Sequence, residues 1–140
     1  MSEPPAGFAR HFRRSPLTDP WEPLWSRRDG DAFVLALEVG VPHTNARGMA
    51  HGGLIAALAD NAMGIACVLA AEGLSGIVTV NLSIDLIGSA RIGDWLEFRA
   101  RPVRVGRSLA FAECAVAASG RVVARASAVF SVPPRDRPTV

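Results

Sequence analysis

Residues Gly52 to Ala71 read GGLIAALADNAMGIACVLAA. Leu54, Leu58, Ala62, Ile65 and Leu69 recur at spacings of four, four, three and four, the apolar stripe of an α-helix. The remaining faces are apolar or small, so the helix is expected to be buried nearly all round. Gly73 and Gly76 follow it as stop signals. Asp60 is the only charged residue in the stretch, and Asn61 the only other strongly polar one. A lone carboxylate in such a segment is expensive to desolvate, which marks Asp60 as a candidate functional group. The stretch is long enough to span a bilayer. A central Asp costs about 2.5–3.5 kcal/mol on insertion scales, and Ala and Gly add little hydrophobicity, so no membrane association is expected.

Working outward, the residues before the helix run Asn45-Ala-Arg-Gly48-Met-Ala-His51-Gly52-Gly53. An amide, a histidine and paired glycines thus stand at the start of a helix, with a carboxylate about two turns in. The first N–H groups of a helix have no internal partner and carry the positive end of its dipole. Glycine lets that backbone approach a ligand closely. Such a site can polarise an acyl carbonyl and attack it with water, with Asp60 as base or as nucleophile.

Before this loop, Ala32 to Val39 is a short strand candidate. After the helix, Ile77 to Ile87 alternates, with Val78, Val80, Leu82, Ile84 and Leu86 on one side and Thr79, Asn81, Ser83 and Asp85 on the other. Trp95 to Val105, Leu109 to Ala118 and Val122 to Val132 complete the set. Gly106-Arg107-Ser108 and Ser119-Gly120-Arg121 are short enough to make antiparallel hairpins. The reading is an α+β domain of order β-α-β-β-β-β, a curved antiparallel sheet of about five strands wrapped around one central helix. The first and last strands are apolar enough to leave an edge needing protection, which pairing in a dimer would supply. Residues 1–30 read as an extended or short-helical arm, residues 31–133 as the domain and residues 134–140 as a frayed tail. The arm's Arg10, His11, Arg13 and Arg14 read first as a solvated face, with an anion-holding role as the lesser alternative.

Composition narrows the partners. All 15 basic residues are arginine, and the net charge is only +2, with acids interleaved, so no nucleic-acid surface is implied. Cys67 and Cys114 lie in apolar runs and read as buried thiols in a reducing compartment. No secretory signal is visible, which makes a cytoplasmic location the expectation. No His-x-x-x-His or Cys-x-x-Cys spacing points to a metal, and no cofactor is expected.

The layout, together with Asn45-x-x-Gly48-x-x-His51-Gly52-Gly53 followed by Asp60, resembles the hot-dog fold acyl-CoA thioesterases. The similar branch is that of the phenylacetic-acid-pathway thioesterase and thioesterase superfamily member 2. Val78-Thr79-Val80-Asn81 is similar to that branch's Val-Ser-Val-Asp stretch, with Thr for Ser, and Gly93-Asp94 and Gly106-Arg107-Ser108-Leu109 are similar to its later turns. The resemblance implies an acyl-CoA substrate and a homo-oligomer, a dimer or a dimer of dimers, with sites between subunits. It implies that the Gly52 N–H polarises the thioester carbonyl and that Asp60 reaches the same site from the partner subunit. Asn45 would orient the thioester or the water, and Thr79 would hold the water near Asp60. His51, Gly53, Asn81, Leu86 and the segment Arg104, Val105, Gly106, Arg107, Ser108 and Leu109 would bind substrate, pantetheine and nucleotide. His51 taken alone reads as a helix cap. Two other readings stay open, a hydratase or dehydratase of acyl thioesters on the same fold and a non-catalytic acyl-CoA-binding protein.

Overall fold

A computed structural model describes residues 3–135. Its organising element is α1 (Gly52–Leu69), which lies on one face of a single antiparallel sheet. The strands are β1 (Ala9–Arg10), β2 (Trp25–Asp29), β3 (Ala32–Glu38), β4 (Val78–Leu86), β5 (Trp95–Val105), β6 (Leu109–Ala118) and β7 (Arg121–Ser131). Their order across the sheet is β1-β2-β3-β5-β6-β7-β4. The central helix and the run β3-α1-β4-β5-β6-β7 along the chain match the sequence reading. Of the expected tail, residues 136–140 lie outside the described residues.

There are seven strands rather than about five, because part of the N-terminal arm joins the sheet. Asp29 pairs with Ala32 across the two-residue turn Gly30-Asp31, and Gly30 takes the left-handed φ of +61° that the turn needs. The strand was hidden because Trp25-Ser-Arg-Arg-Asp29 is polar and shows no clean alternation. A consequence is that β3, expected at an edge, is buried along Ala32 to Leu37 between β2 and β5. The last strand, β7, is likewise internal, between β6 and β4. The long open edge belongs to β4, where Val78, Val80 and Leu86 are exposed.

Alternation sets the core. Leu96, Phe98 and Ala100 of β5, Ala112, Cys114 and Val116 of β6, and Ala124, Ala126, Ala128 and Phe130 of β7 are buried in one cluster with the helix. The repeated alanines let α1 sit close against the sheet. Leu58, Ala59, Ala62 and Met63 are fully enclosed there.

Two further expectations are corrected. The helix is buried on one side only: nine of its 18 residues are buried, while Gly53, Ala56, Ala57, Asp60, Asn61, Gly64 and Val68 retain exposure. Small residues read as core in sequence, but here they form the face turned away from the sheet. In β4, strict alternation places Thr79 opposite Leu82 and Ile84. A bulge intervenes: Thr79 pairs with Phe130 and Asn81 with Val129, leaving Val80 as the extra residue. One added residue inverts the facing, so Thr79 joins Leu82 and Ile84 on the helix side.

Candidate active site

The bulge brings Thr79 onto Asp60. The Thr79 hydroxyl donates to Asp60 Oδ1 at 2.7 Å. Asp60 is half-buried rather than enclosed, and its second carboxylate oxygen receives no donor among the described residues. The carboxylate is therefore held at one oxygen and free at the other. A bond this short to an ionised acceptor is of the charge-assisted kind.

A second cluster sits at the helix N-terminus. His51 is the N-cap, and its Nδ1 accepts from the Gly53 N–H at 2.8 Å. This is the capping role that His51 has when read alone. It fixes the start of α1 and leaves the Gly52 N–H with no acceptor among the described residues. A Cβ on Gly52 would lie 2.7 Å from Leu86 Cδ1, so Leu86 closes directly over this turn. Asn45 Oδ1 accepts from the Arg47 and Met49 N–H groups at 2.9 and 3.2 Å, folding the loop on itself. Its side-chain NH2 makes no bond among the described residues and is a second unspent donor, in the loop that leads into α1. His43, which carried no role in sequence, ties the loop to the arm: Nδ1 accepts from the Gly40 N–H and Nε2 donates to the Trp21 carbonyl, both at 2.9 Å.

The two clusters do not meet within one chain. Gly52 and Asp60 are eight residues apart on one helix, about 12 Å along its axis. A water activated by Asp60 cannot attack a carbonyl held on the Gly52 N–H of the same chain. The other candidates lie elsewhere. Asn81 is on the sheet face opposite the helix, where its Oδ1 accepts from Ser83 at 3.3 Å. Arg104, Val105, Gly106, Arg107, Ser108 and Leu109 form the β5–β6 turn beside Ala70 and Ala71, at the far end of α1 from Gly52. Gly106 is required there, because a Cβ would fall 2.9 Å from the Leu109 carbonyl oxygen that accepts from its N–H.

A cavity of about 220 Å³ opens beside Asp60 and Thr79. Asn61, Gly64, Ile65 and Val68 carry it along the C-terminal half of α1, and Leu35, Ile77 and Phe130 line its apolar part. The helical period from Asp60 through Gly64 to Val68 was the signal that could have found this wall. His11, Arg13, Arg14, Ser15 and Thr18 of the arm also line it, and no local pattern could have placed them there. A larger concavity of about 530 Å³ lies on the sheet face away from the helix. Its arginines are ion-paired, Arg125 with Asp85 at 2.9 Å inside it and Arg99 with Asp29 at 2.7 Å and Arg101 with Asp31 at 3.4 Å at its margin, and it holds neither cluster. The Arg99 bond holds the Asp29 carboxyl below its usual range. Burial pushes the Cys67 thiol up to about 11 and the Cys114 thiol up to about 12, which makes both poor nucleophiles.

A long helix laid on a curved antiparallel sheet is the hot-dog architecture, here with an unpartnered N–H at the first helical turn and a carboxylate two turns on. The pattern of the thioesterase superfamily matches residues 47–125, and the chain belongs to that superfamily. A Pseudomonas aeruginosa protein named as an esterase is 42% identical over 134 residues, 95% of this chain and 100% of that one. Phenylacetic acid degradation protein PaaI of Thermus thermophilus superposes with a TM-score of 0.73 at 26% identity, covering 84% of this chain and 98% of its own. A Streptococcus pneumoniae protein described as a thioesterase, solved with coenzyme A, gives a TM-score of 0.69 at 28% identity, over 79% of this chain and 86% of that one.

Proposed function

We propose that the protein is an acyl-CoA thioesterase whose active sites form between two copies of the chain, with Asp60 and Thr79 from one and Gly52 and Asn45 from the other. The observation that carries the reading is the pair of half-sites: a carboxylate oriented by Thr79 at 2.7 Å, and an unspent helix N-terminal N–H too far away to serve it. Membership of the thioesterase superfamily supports the reaction class, and the coenzyme A held by the Streptococcus pneumoniae protein supports the thiol. The open β4 edge and the small-residue face of α1 support the pairing of two copies.

The chemistry follows from the parts. The Gly52 N–H and the Asn45 amide donate to the thioester carbonyl oxygen. Asp60, held at Oδ1, takes a proton from water at its free oxygen while the water oxygen bonds to the carbonyl carbon. The tetrahedral oxyanion rests on the Gly52 donor, a kind of contact worth about 2.7–4 kcal/mol in acyl transfer. Collapse breaks the C–S bond, and the thiolate leaves as coenzyme A with the proton from Asp60. The site asks for no cofactor in this scheme.

The test is complementation. Asp60→Asn removes the base. Gly52→Pro removes the N–H at a helix position where proline is tolerated. Each variant alone is expected to lose thiol release from acyl-CoA by a factor of about 100 or more. Refolded together, they form mixed dimers with one intact site, and activity should recover to roughly a quarter of wild type, as expected for shared sites in a two-fold dimer. No recovery from a folded mixture would place the site within one chain. Single turnover in labelled water separates base from nucleophile, because label appearing in the Asp60 carboxylate would mean direct attack.

A further inference from the structure

The N-terminal arm crosses the open face of α1. At one end His11 packs on Phe33 at 5.8 Å between ring centres, and Phe33 in turn lies beside Ala66, Leu69 and Ala70, at the helix C-terminus. At the other end the Trp21 carbonyl is held by His43, in the loop ahead of the helix N-terminus. The arm is fixed in this path. The His11 N–H donates to the Leu24 carbonyl at 2.9 Å, and Phe8 meets Trp95 edge-on at 5.4 Å. Between those anchors it walls the cavity that begins at Asp60.

The cavity is therefore two-ended. Near Asp60 it offers Thr79 and Asn61, along its length Ile65, Ile77 and Phe130, and at its arm side His11 and Arg13. An engineered apolar cavity of about 150 Å³ takes benzene, so about 220 Å³ holds a short acyl chain. Leu35, Ile65, Ile77 and Phe130 give the cavity an apolar part that suits what lies on the acyl side of the carbonyl, beside a polar part on the arm. The cations of the arm are unequal. Arg14 is tied to Asp19 at 3.0 Å and Arg10 to Glu22 at 3.3 Å. Arg13 lines the cavity with no carboxylate partner among the described residues. His11 uses Nδ1 on Ser26 Oγ at 3.1 Å, and its other ring nitrogen has no protein partner among the described residues.

We propose that this cavity holds the acyl group and that Arg13, on the fixed arm, selects acyl groups whose far end carries a carboxylate. The inference rests on the thioesterase reading of Asp60 and adds the substrate class. A guanidinium fork matches a carboxylate in shape and charge. Arg13 is two residues from His11, whose ring packs on Phe33 beside the C-terminal end of α1, and this sets that match away from Gly52. An uncharged acyl end would leave the guanidinium to water, whereas a carboxylate of the right reach would meet it.

Thiol release is measured with hexanoyl-CoA and adipyl-CoA, which differ only by a terminal carboxylate, on the full chain. The readout is the ratio of kcat/KM for adipyl over hexanoyl. In Arg13→Ala this ratio should fall about tenfold, the scale of one solvent-accessible charge-assisted contact. Arg13→Lys, which keeps the charge but loses the fork, should restore part of it. Arg13 is exposed, so neither variant threatens the fold. Inhibition by free coenzyme A is measured in parallel. A ratio unchanged in Arg13→Ala, with hydrolysis intact, overturns the inference and leaves the thioesterase reading standing. Coenzyme A inhibition weakened by the same factor as adipyl-CoA turnover puts the guanidinium on the nucleotide phosphates and also overturns it. Absence of thiol release from every thioester by the wild-type chain brings down both.

Discussion

Replacing Thr79 with valine tests the site at the contact that holds its carboxylate. Valine keeps the shape of threonine and suits a strand at least as well, so β4 and its bulge should persist. What is lost is the hydroxyl that donates to Asp60 Oδ1 at 2.7 Å. Hydrogen bonds to charged groups contribute about 1.5–3 kcal/mol. Thr79 is exposed in the single chain, so the lower end applies, about 1.5 kcal/mol. If the bond serves the transition state, that is roughly a tenfold fall in kcat. The assay is thiol release read with a chromogenic disulfide. The enzyme's own buried thiols, pushed up to about 11 and about 12, contribute little background. Thr79→Ser should return kcat to near wild type, because it restores the hydroxyl while removing a methyl. That rescue separates positioning of Asp60 from a packing role. In Asp60→Asn, adding Thr79→Val should cost nothing further, since the charged acceptor is already gone. A Thr79→Val enzyme within twofold of wild-type kcat would refute the idea that this hydroxyl orients the base.

Other perturbations reach other parts of the argument. Gly52→Ala places a Cβ 2.7 Å from Leu86 Cδ1, and the displaced Leu86 should raise KM several-fold, with Leu86→Ala in the same chain relieving it; a single variant with unaltered kinetics would deny Leu86 a place over the carbonyl site. Leu58→Ala, at a fully enclosed position, should lower unfolding free energy by about 2–5 kcal/mol in urea, and a cost under 1 kcal/mol would show that α1 is looser on the sheet than described. Burial holds the His11 ring below its ordinary pKa, so the unfolded chain takes up a proton first as pH falls. Stability from this group should be full above pH about 6.5 and decline below it, and the slope of Tm between pH 7 and 5 should flatten in His11→Gln; an unaltered slope would show that other groups set the acid sensitivity.

Local signals in the sequence determined most of the fold. The helix from Gly52 was legible because its apolar residues recur with the helical period, and β5 and β6 because alternation and short turns act between near neighbours. Superfamily membership was legible from Asn45, Gly48, His51, Gly52, Gly53 and Asp60 at fixed spacing. The tertiary structure decided what depends on distant pairing. Trp25 to Asp29 became a strand only because β3 offered an edge, and that choice moved the open edge to β4. The bulge at Val80 turned Thr79 toward Asp60 against its alternation, since facing is set by the partner strand and not by the strand alone. The arm was read as a solvated basic segment because His11 and Arg13 meet Asp60's cavity only across some fifty residues of chain. The separation of Gly52 from Asp60 was present in the sequence as a count of eight residues. It acquired meaning once both were fixed on one rigid helix, because a helix converts that count into a distance no side chain can close.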